Sequence, residues 1–262
     1  MDQIERVIQE KKDQYRIVFK HHAPIIVSEY LLVRYRLLKD KVFDDDEMAV
    51  LLRDVKSDMA LQQAVRYIDV KMRTAKEVAQ YLANKDYDDE TIDAVLHRLT
   101  EQRLIDDQQY AESYMRTKMR EGKYGPRYIV QQLVQKGVRH TVAEASAEEY
   151  TEDYLYKNSQ HQAEKLWQRY RNKSFREQKQ KVYQALIKNG FYEPYITEAL
   201  EQCAEEKDEE EEYQLVLKQG ERYLRKCKNK PLWEQKQYIM RMLYQKGFTS
   251  ELIQRFIEEE CE

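Results

Sequence analysis

Ile129-Val130-Gln131-Gln132-Leu133-Val134-Gln135-Lys136-Gly137-Val138 reads as the closing turns of a helix. Ile129 and Leu133 are four apart and so share one face. Gly137 then offers a left-handed residue to end the helix, and Val138 supplies an apolar anchor just beyond it. The same pattern occurs three more times. Its anchors are Tyr87, Val138, Phe191 and Phe248, separated by 51, 53 and 57 residues. Five residues before each anchor stand Leu82, Leu133, Leu186 and Leu243; nine before stand Val78, Ile129, Val182 and Ile239. The residue just before the anchor is Asp86, Gly137, Gly190 or Gly247, which places three of only six glycines at one repeat position. A fixed period near fifty residues marks a repeat architecture in which each unit buries its apolar face against its neighbours.

Composition agrees. The 262 residues are 35 % charged, with six Gly and four Pro. Few breakers and abundant Glu, Lys, Gln, Leu and Arg favour helices with extensive solvated faces. The expected fold is mainly α: an elongated, curved array of tandem three-helix repeats with a small N-terminal β-hairpin segment. The expected divisions are 1–43 for the hairpin and helix extension, then repeats at 44–104, 105–157, 158–208 and 209–262. Gln14–Phe19 and Pro24–Val27 are the hairpin strands, turning through Lys20 to Ala23. Ser28 caps a helix expected to reach Leu38. Thr74 with Glu77 forms a capping box. The acidic clusters Asp44-Asp45-Asp46-Glu47, Asp88-Asp89-Glu90 and Asp106-Asp107 are helix starts, where carboxylates suit the partial positive charge, and not metal sites. The acidic run Glu205–Glu212 is a helix end or linker.

Net charge is −3, so bulk charge announces no polyanion partner. Its distribution does. Residues 113–140 carry seven cations (Arg116, Lys118, Arg120, Lys123, Arg127, Lys136, Arg139) against Glu121. Residues 165–181 hold seven, including Arg169, Arg171 and Lys173, against Glu177. Residues 222–241 hold seven, including Arg225 and Lys228, against Glu234. The first unit is weaker, with Arg73 and Lys76 among four cations against two carboxylates in 66–77. Equivalent positions in stacked repeats predict one positive band that attracts phosphate or acidic protein. Tyr124, Tyr128 and Tyr170 lie among these cations, placed to stack on unpaired bases. Gly122-Lys123-Tyr124-Gly125-Pro126-Arg127 is expected to be a sharp turn that exposes backbone N–H groups and basic side chains together. It is not a phosphate-cradling P-loop, which needs Gly-Lys-Ser/Thr after a strand.

Cys203, Cys227 and Cys261 make neither a zinc pattern nor a disulfide framework, which fits a reducing, cytoplasmic compartment. No signal-peptide core or membrane-length apolar run is present. The five histidines are dispersed, with His21-His22 a solvated turn, and no catalytic set can be assembled by spacing. Met115, Met119 and the tyrosine stripe are core and not a cofactor site. The residues alone leave open a binder of phosphate or acidic protein surface, a helical-repeat adaptor with an incidental basic face, and a sequence-specific reader resembling a helix-turn-helix.

Ile105-Asp106-Asp107-Gln108-Gln109-Tyr110-Ala111, followed by Arg116, Gly125-Pro126-Arg127, Leu133 and Lys136-Gly137-Val138, resembles the RecX family of bacterial recombination regulators. Arg73-Thr74-Ala75-Lys76-Glu77-Val78 through Leu82, then Val95-Leu96 and Arg98-Leu99, are also similar to that family. The resemblance implies a non-enzymatic protein without cofactor or metal. It implies binding to the RecA filament on single-stranded DNA, suppression of its strand-exchange and ATPase activities, and direct binding to DNA; weak contact with duplex DNA and a monomeric state are further expectations. Asp86 departs from the usual glycine, Gln109-Tyr110 stands where a charged residue and Phe are more usual, and a fourth unit lengthens the chain beyond the common three.

Overall fold

The computed structural model describes residues 1–204 and 208–261. Its N-terminal part is a four-stranded antiparallel sheet, β1 (Asp2–Lys11), β2 (Gln14–Phe19), β3 (Ile25–Ser28) and β4 (Val42–Phe43), in the order β3-β2-β1-β4. The expected hairpin is β2–β3, with Tyr15 opposite Val27 and Ile17 opposite Ile25. The sheet is larger than a hairpin because β1 pairs along β2 and β4 closes on β1. Ile4, Ile17, Phe19, Val27 and Phe43 bury one face against Leu31, Leu37, Met48 and Leu51. The buried Asp2 carboxylate accepts the backbone N–H groups of His21 (3.1 Å) and His22 (2.7 Å), which fixes that turn.

Ser28 Oγ accepts from Leu31 N at 3.3 Å and opens α1 (Glu29–Arg34). The helix stops four residues short of the expected Leu38. Arg36 turns left-handed at φ 46°, and Leu37 drops into the core. The remaining helices come in four sets of three: α2 (Asp45–Val70), α3 (Ala75–Ala83), α4 (Asp89–Glu101); α5 (Asp107–Glu121), α6 (Pro126–Gln135), α7 (His140–Ala145); α8 (Glu152–Arg169), α9 (Phe175–Lys188), α10 (Glu193–Cys203); and α11 (Glu209–Cys227), α12 (Leu232–Gln245), α13 (Ser250–Glu260). Helix α8 runs through the 157/158 division drawn from the sequence. The acidic clusters act as caps: Asp44 forms a capping box with Glu47, Asp88 accepts from Thr91 N, and Asp106 accepts from Gln108 N and Gln109 N. Of the acidic run 205–212, Glu209–Glu212 form the first turn of α11; Glu205, Glu206 and Lys207 lie outside the described residues.

The chain divides into two compact units, residues 1–111 with 134–142, and residues 112–133 with 143–262. The repeat positions form their cores. Val78, Ile129, Val182, Ile239, the four leucines that follow them, and the anchors Val138, Phe191 and Phe248 are buried, while Tyr87 is half-buried. Each full burial contributes about 1.5–3 kcal/mol relative to exposure.

The middle helices α3, α6, α9 and α12 meet end to end by one recurring joint. In the first unit Thr74 Oγ1, fully buried, accepts from Glu77 N at 3.1 Å and donates to the Lys136 carbonyl at 2.7 Å. The start of α3 thereby satisfies a carbonyl left open where α6 ends. In the second unit Gly125 N donates to Asn189 O (2.8 Å), Arg127 N donates to Gly190 O (3.2 Å), and Ser174 Oγ donates to Lys246 O. An N-terminus with partial positive charge faces a C-terminus with partial negative charge each time.

This joint corrects two expectations. Gly137, Gly190 and Gly247 do take positive φ (96°, 85° and 85°), as does Asp86 at 62°. Helix ending is only part of their role. A Cβ on Gly190 would stand 2.2 Å from Tyr128 N, so the joint needs a residue without a side chain. Asp86 is exposed and meets no such neighbour, so only the φ requirement applies there, and Asp tolerates it. The second correction is at Gly125. Its N–H is not displayed to solvent but is used inside the joint with Asn189.

Candidate nucleic-acid and protein interface

The connection between α5 and α6 gathers the densest group of expected site residues. Gly122, at φ 67°, ends α5, and Pro126 opens α6 at the position its fixed φ suits. Between them Tyr124 stacks on Tyr128, centroids 4.1 Å apart and planes within 12°. The Lys123 ammonium lies 4.9 Å from the Tyr124 ring and hydrogen-bonds its hydroxyl, which pulls that phenol below its ordinary value. The Arg127 guanidinium lies 4.9 Å from the Tyr192 ring. Beneath the loop, Asn158 Nδ2 donates to Met119 O (2.8 Å) and to Tyr150 Oη (2.7 Å), and Tyr150 Oη donates to Tyr124 O (3.2 Å). Burial pushes the Tyr150 phenol up to about 12, so it stays a neutral donor. A supported loop of this kind holds its aromatic and cationic side chains in fixed geometry.

The other expected residues divide by their partners. Arg116 pairs with Glu149 (3.0 Å), Lys118 with Glu121 (2.7 Å), Lys136 with Glu77 (2.9 Å), Lys173 with Glu177 (3.8 Å) and Arg225 with Glu221 (3.2 Å). Arg73 covers the Tyr67 ring at 4.1 Å, and Tyr67 stacks on Tyr81. Lys76 lays its chain against Gly137 and points its ammonium at Gln135 O (3.4 Å). Arg120, Lys123, Arg127, Arg169, Arg171 and Lys228 are exposed, Arg169 beside the Tyr170 ring. Local charge counting treats every cation as available. Folding neutralises Arg116 with a carboxylate 33 residues away and Lys136 with one 59 residues away. Among the described residues no group of three or more His, Cys, Asp or Glu is arranged to hold a metal, no helix is long and apolar enough to cross a membrane, and the three cysteines are free.

Sequence reasoning passed over Trp233, Met240 and Tyr244 on α12, all well exposed. They stand fifteen, eight and four residues before the anchor Phe248. The anchor alignment carries the signal that finds them, because the same places in the second set of three helices hold Lys123, Val130 and Val134.

A chain built from tandem three-helix sets with capped, end-to-end middle helices belongs to the class of helical-repeat proteins. Family descriptions of RecX match it in order: the first three-helix domain at residues 60–99, the second at 106–146, and the third at both 152–200 and 209–257. The chain is 37 % identical over 259 residues to the Regulatory protein RecX of Enterococcus faecalis, covering 99 % of this chain and 97 % of that one. It is 32 % identical to that of Bacillus cytotoxicus, covering 90 % and 87 %. A crystal structure of regulatory protein RecX superposes with a TM-score of 0.68 at 29 % identity, covering 79 % of this chain and all of the other. RecX from Lactobacillus salivarius gives 0.53 at 31 % identity over 56 % of this chain and 96 % of the other. The protein belongs to the RecX family.

Proposed function

We propose that this protein is a non-catalytic regulator that binds the RecA filament on single-stranded DNA and inhibits its recombinase and ATPase activities. Family membership across nearly the whole chain carries the reading. The Lys123–Tyr124–Arg127–Tyr128 group supports it, because cations beside half-buried rings at the surface suit a phosphate backbone with unpaired bases. Duplex DNA hides its base faces and binds more weakly. Arg120, Arg169 and Lys228 add exposed positive charge in the later sets. Arg73, Lys76, Arg116, Lys118, Lys136, Arg171, Lys173 and Arg225 serve as a second tier, because each already has a contact within the fold or flanks one. Several modest contacts along a repeating filament multiply into a strong one. The protein acts as a cytoplasmic monomer without cofactor.

The decisive experiment is recombinase ATP turnover on single-stranded DNA with this protein added. Turnover falls as protein is titrated; an unchanged rate at saturating protein refutes the reading. K123E/R127E weakens binding to single-stranded DNA and lowers the slope of log affinity against log salt by roughly 0.7 for each phosphate no longer neutralised.

A further inference from the structure

The outer face of α12 is chemically unlike its counterparts. Trp233, Gln237, Met240 and Tyr244 are spaced four, three and four apart, which puts them on one face of the helix. Trp233 is 63 % and Tyr244 59 % exposed, values that leave two large rings in water. With Ile253 of α13 this face lines an open cleft of about 960 Å3. At the matching positions the second set carries Lys123, Arg127 and Val130, and the third carries Arg176, Gln180 and Tyr183. One register thus presents cations in one set and aromatic and thioether side chains in another.

The charge of the cleft narrows the occupant. Lys230 and Glu234 both line it and lie 3.5 Å apart, neutralising each other. Arg241 also lines it and makes no ion pair among the described residues; its guanidinium lies 6.0 Å from the Tyr238 ring. One unmatched cation is too little for a polyanion, whose affinity comes from several phosphate contacts. It suits a single carboxylate. Trp, Tyr, Met and Arg are the residue types that protein interfaces concentrate, and a thioether adapts to an irregular partner surface.

We propose that the α12–α13 cleft docks an amphipathic helix of a protein partner, with apolar residues filling the places beside Trp233, Met240 and Tyr244 and one Asp or Glu against Arg241. Resting on the regulatory reading above, that helix is presented by the recombinase of the filament and not by its DNA. The two sets then divide the work: the Lys123–Arg127 loop meets nucleic acid and the α12 face meets protein.

The test uses the full chain and two variants, W233A/Y244A and R241E, with helicity checked by circular dichroism. Each is titrated against recombinase filaments on single-stranded DNA and, separately, against bare single-stranded DNA. W233A/Y244A is expected to bind filaments at least about 30-fold more weakly, the loss typical of aromatic anchors at interfaces. R241E follows it in the same direction, while affinity for bare DNA is unchanged for both. Wild-type protein that binds no filament at all defeats the regulatory reading and this inference with it. Wild-type binding that W233A/Y244A fully retains defeats the docking site alone. An equal loss on bare DNA makes the cleft a nucleic-acid surface and overturns the proposal. Wild-type self-association in sedimentation that W233A/Y244A abolishes makes a second copy the occupant and overturns it too.

Discussion

Gly190 and Asp86 occupy the same place in two repeats, yet their surroundings are opposite. Both bend the chain left-handed after a middle helix, at φ 85° and 62°. At Gly190 an added Cβ would stand 2.2 Å from the Tyr128 nitrogen and 2.7 Å from its Cβ. At Asp86 a whole carboxylate side chain sits in solvent. The difference separates two demands that a repeated glycine conceals: a backbone conformation, needed at all four places, and a close approach, needed only where a neighbouring helix start is docked.

The largest expected effect breaks the close approach. G190A loses about 3 kcal/mol or more in denaturant unfolding, since left-handed strain of about 1–2 kcal/mol is joined by a clash with backbone. G247A loses only about 1–2 kcal/mol, because its nearest neighbours are the Ser174 hydroxyl at 3.0 Å and the Arg176 Cβ at 3.1 Å. Equal losses in the two would show that close approach adds nothing to conformation. Next comes T74A, at about 2 kcal/mol, because it removes a helix cap and leaves the Lys136 carbonyl without its buried donor. T74S recovers most of this; if it does not, the hydroxyl is not the reason. D86G works in the other direction. It stabilises by up to about 1 kcal/mol by relieving strain at a site with no neighbour to crowd, readable as a raised Tm.

The smallest effect concerns pH. Burial alone would raise the Glu77 carboxyl, but hydrogen bonds from Lys136 and from Thr74 N outweigh it and hold the group below its ordinary value. A depressed carboxyl stabilises the fold above the unfolded value of about 4.3, and that contribution disappears as pH falls through the lower folded value. E77Q therefore narrows the stability gap between about pH 7 and pH 3, as measured by urea unfolding at both. An unchanged gap would locate the acid sensitivity elsewhere.

Much of the fold was legible because its determinants are local and repeated. Leu82, Leu133, Leu186 and Leu243 announce the buried stripe, and Thr74 with Glu77 announces a cap. Strand β1 was hidden because most of its residues after Ile4 (Glu5, Arg6, Gln9, Glu10 and Lys11) face away from the core and look like a charged surface. The joints were also hidden, since Thr74 to Lys136 and Gly125 to Asn189 are contacts between repeats that no single period reveals. The candidate site was legible as composition but not as availability. Glu149 and Glu77 claim cations that a window of about thirty residues counts as free, whereas Trp233 and Tyr244 are exposed because α12 presents them outward.

The second and third sets each own both halves of their coupling: a hydrogen donor where the middle helix begins (Gly125, Ser174) and a bare α-carbon where it stops (Gly137, Gly190). A duplicated stretch inherits matching connectors, so the chain can gain a whole unit without inventing contact chemistry. Two successive matches to one third-domain pattern, at 152–200 and 209–257, are the trace such copying would leave. Pro231, which begins the last middle helix, has no hydrogen to offer. The start of α12 therefore lacks the hydroxyl or N–H that Thr74, Gly125 and Ser174 supply at the corresponding place in the other three sets.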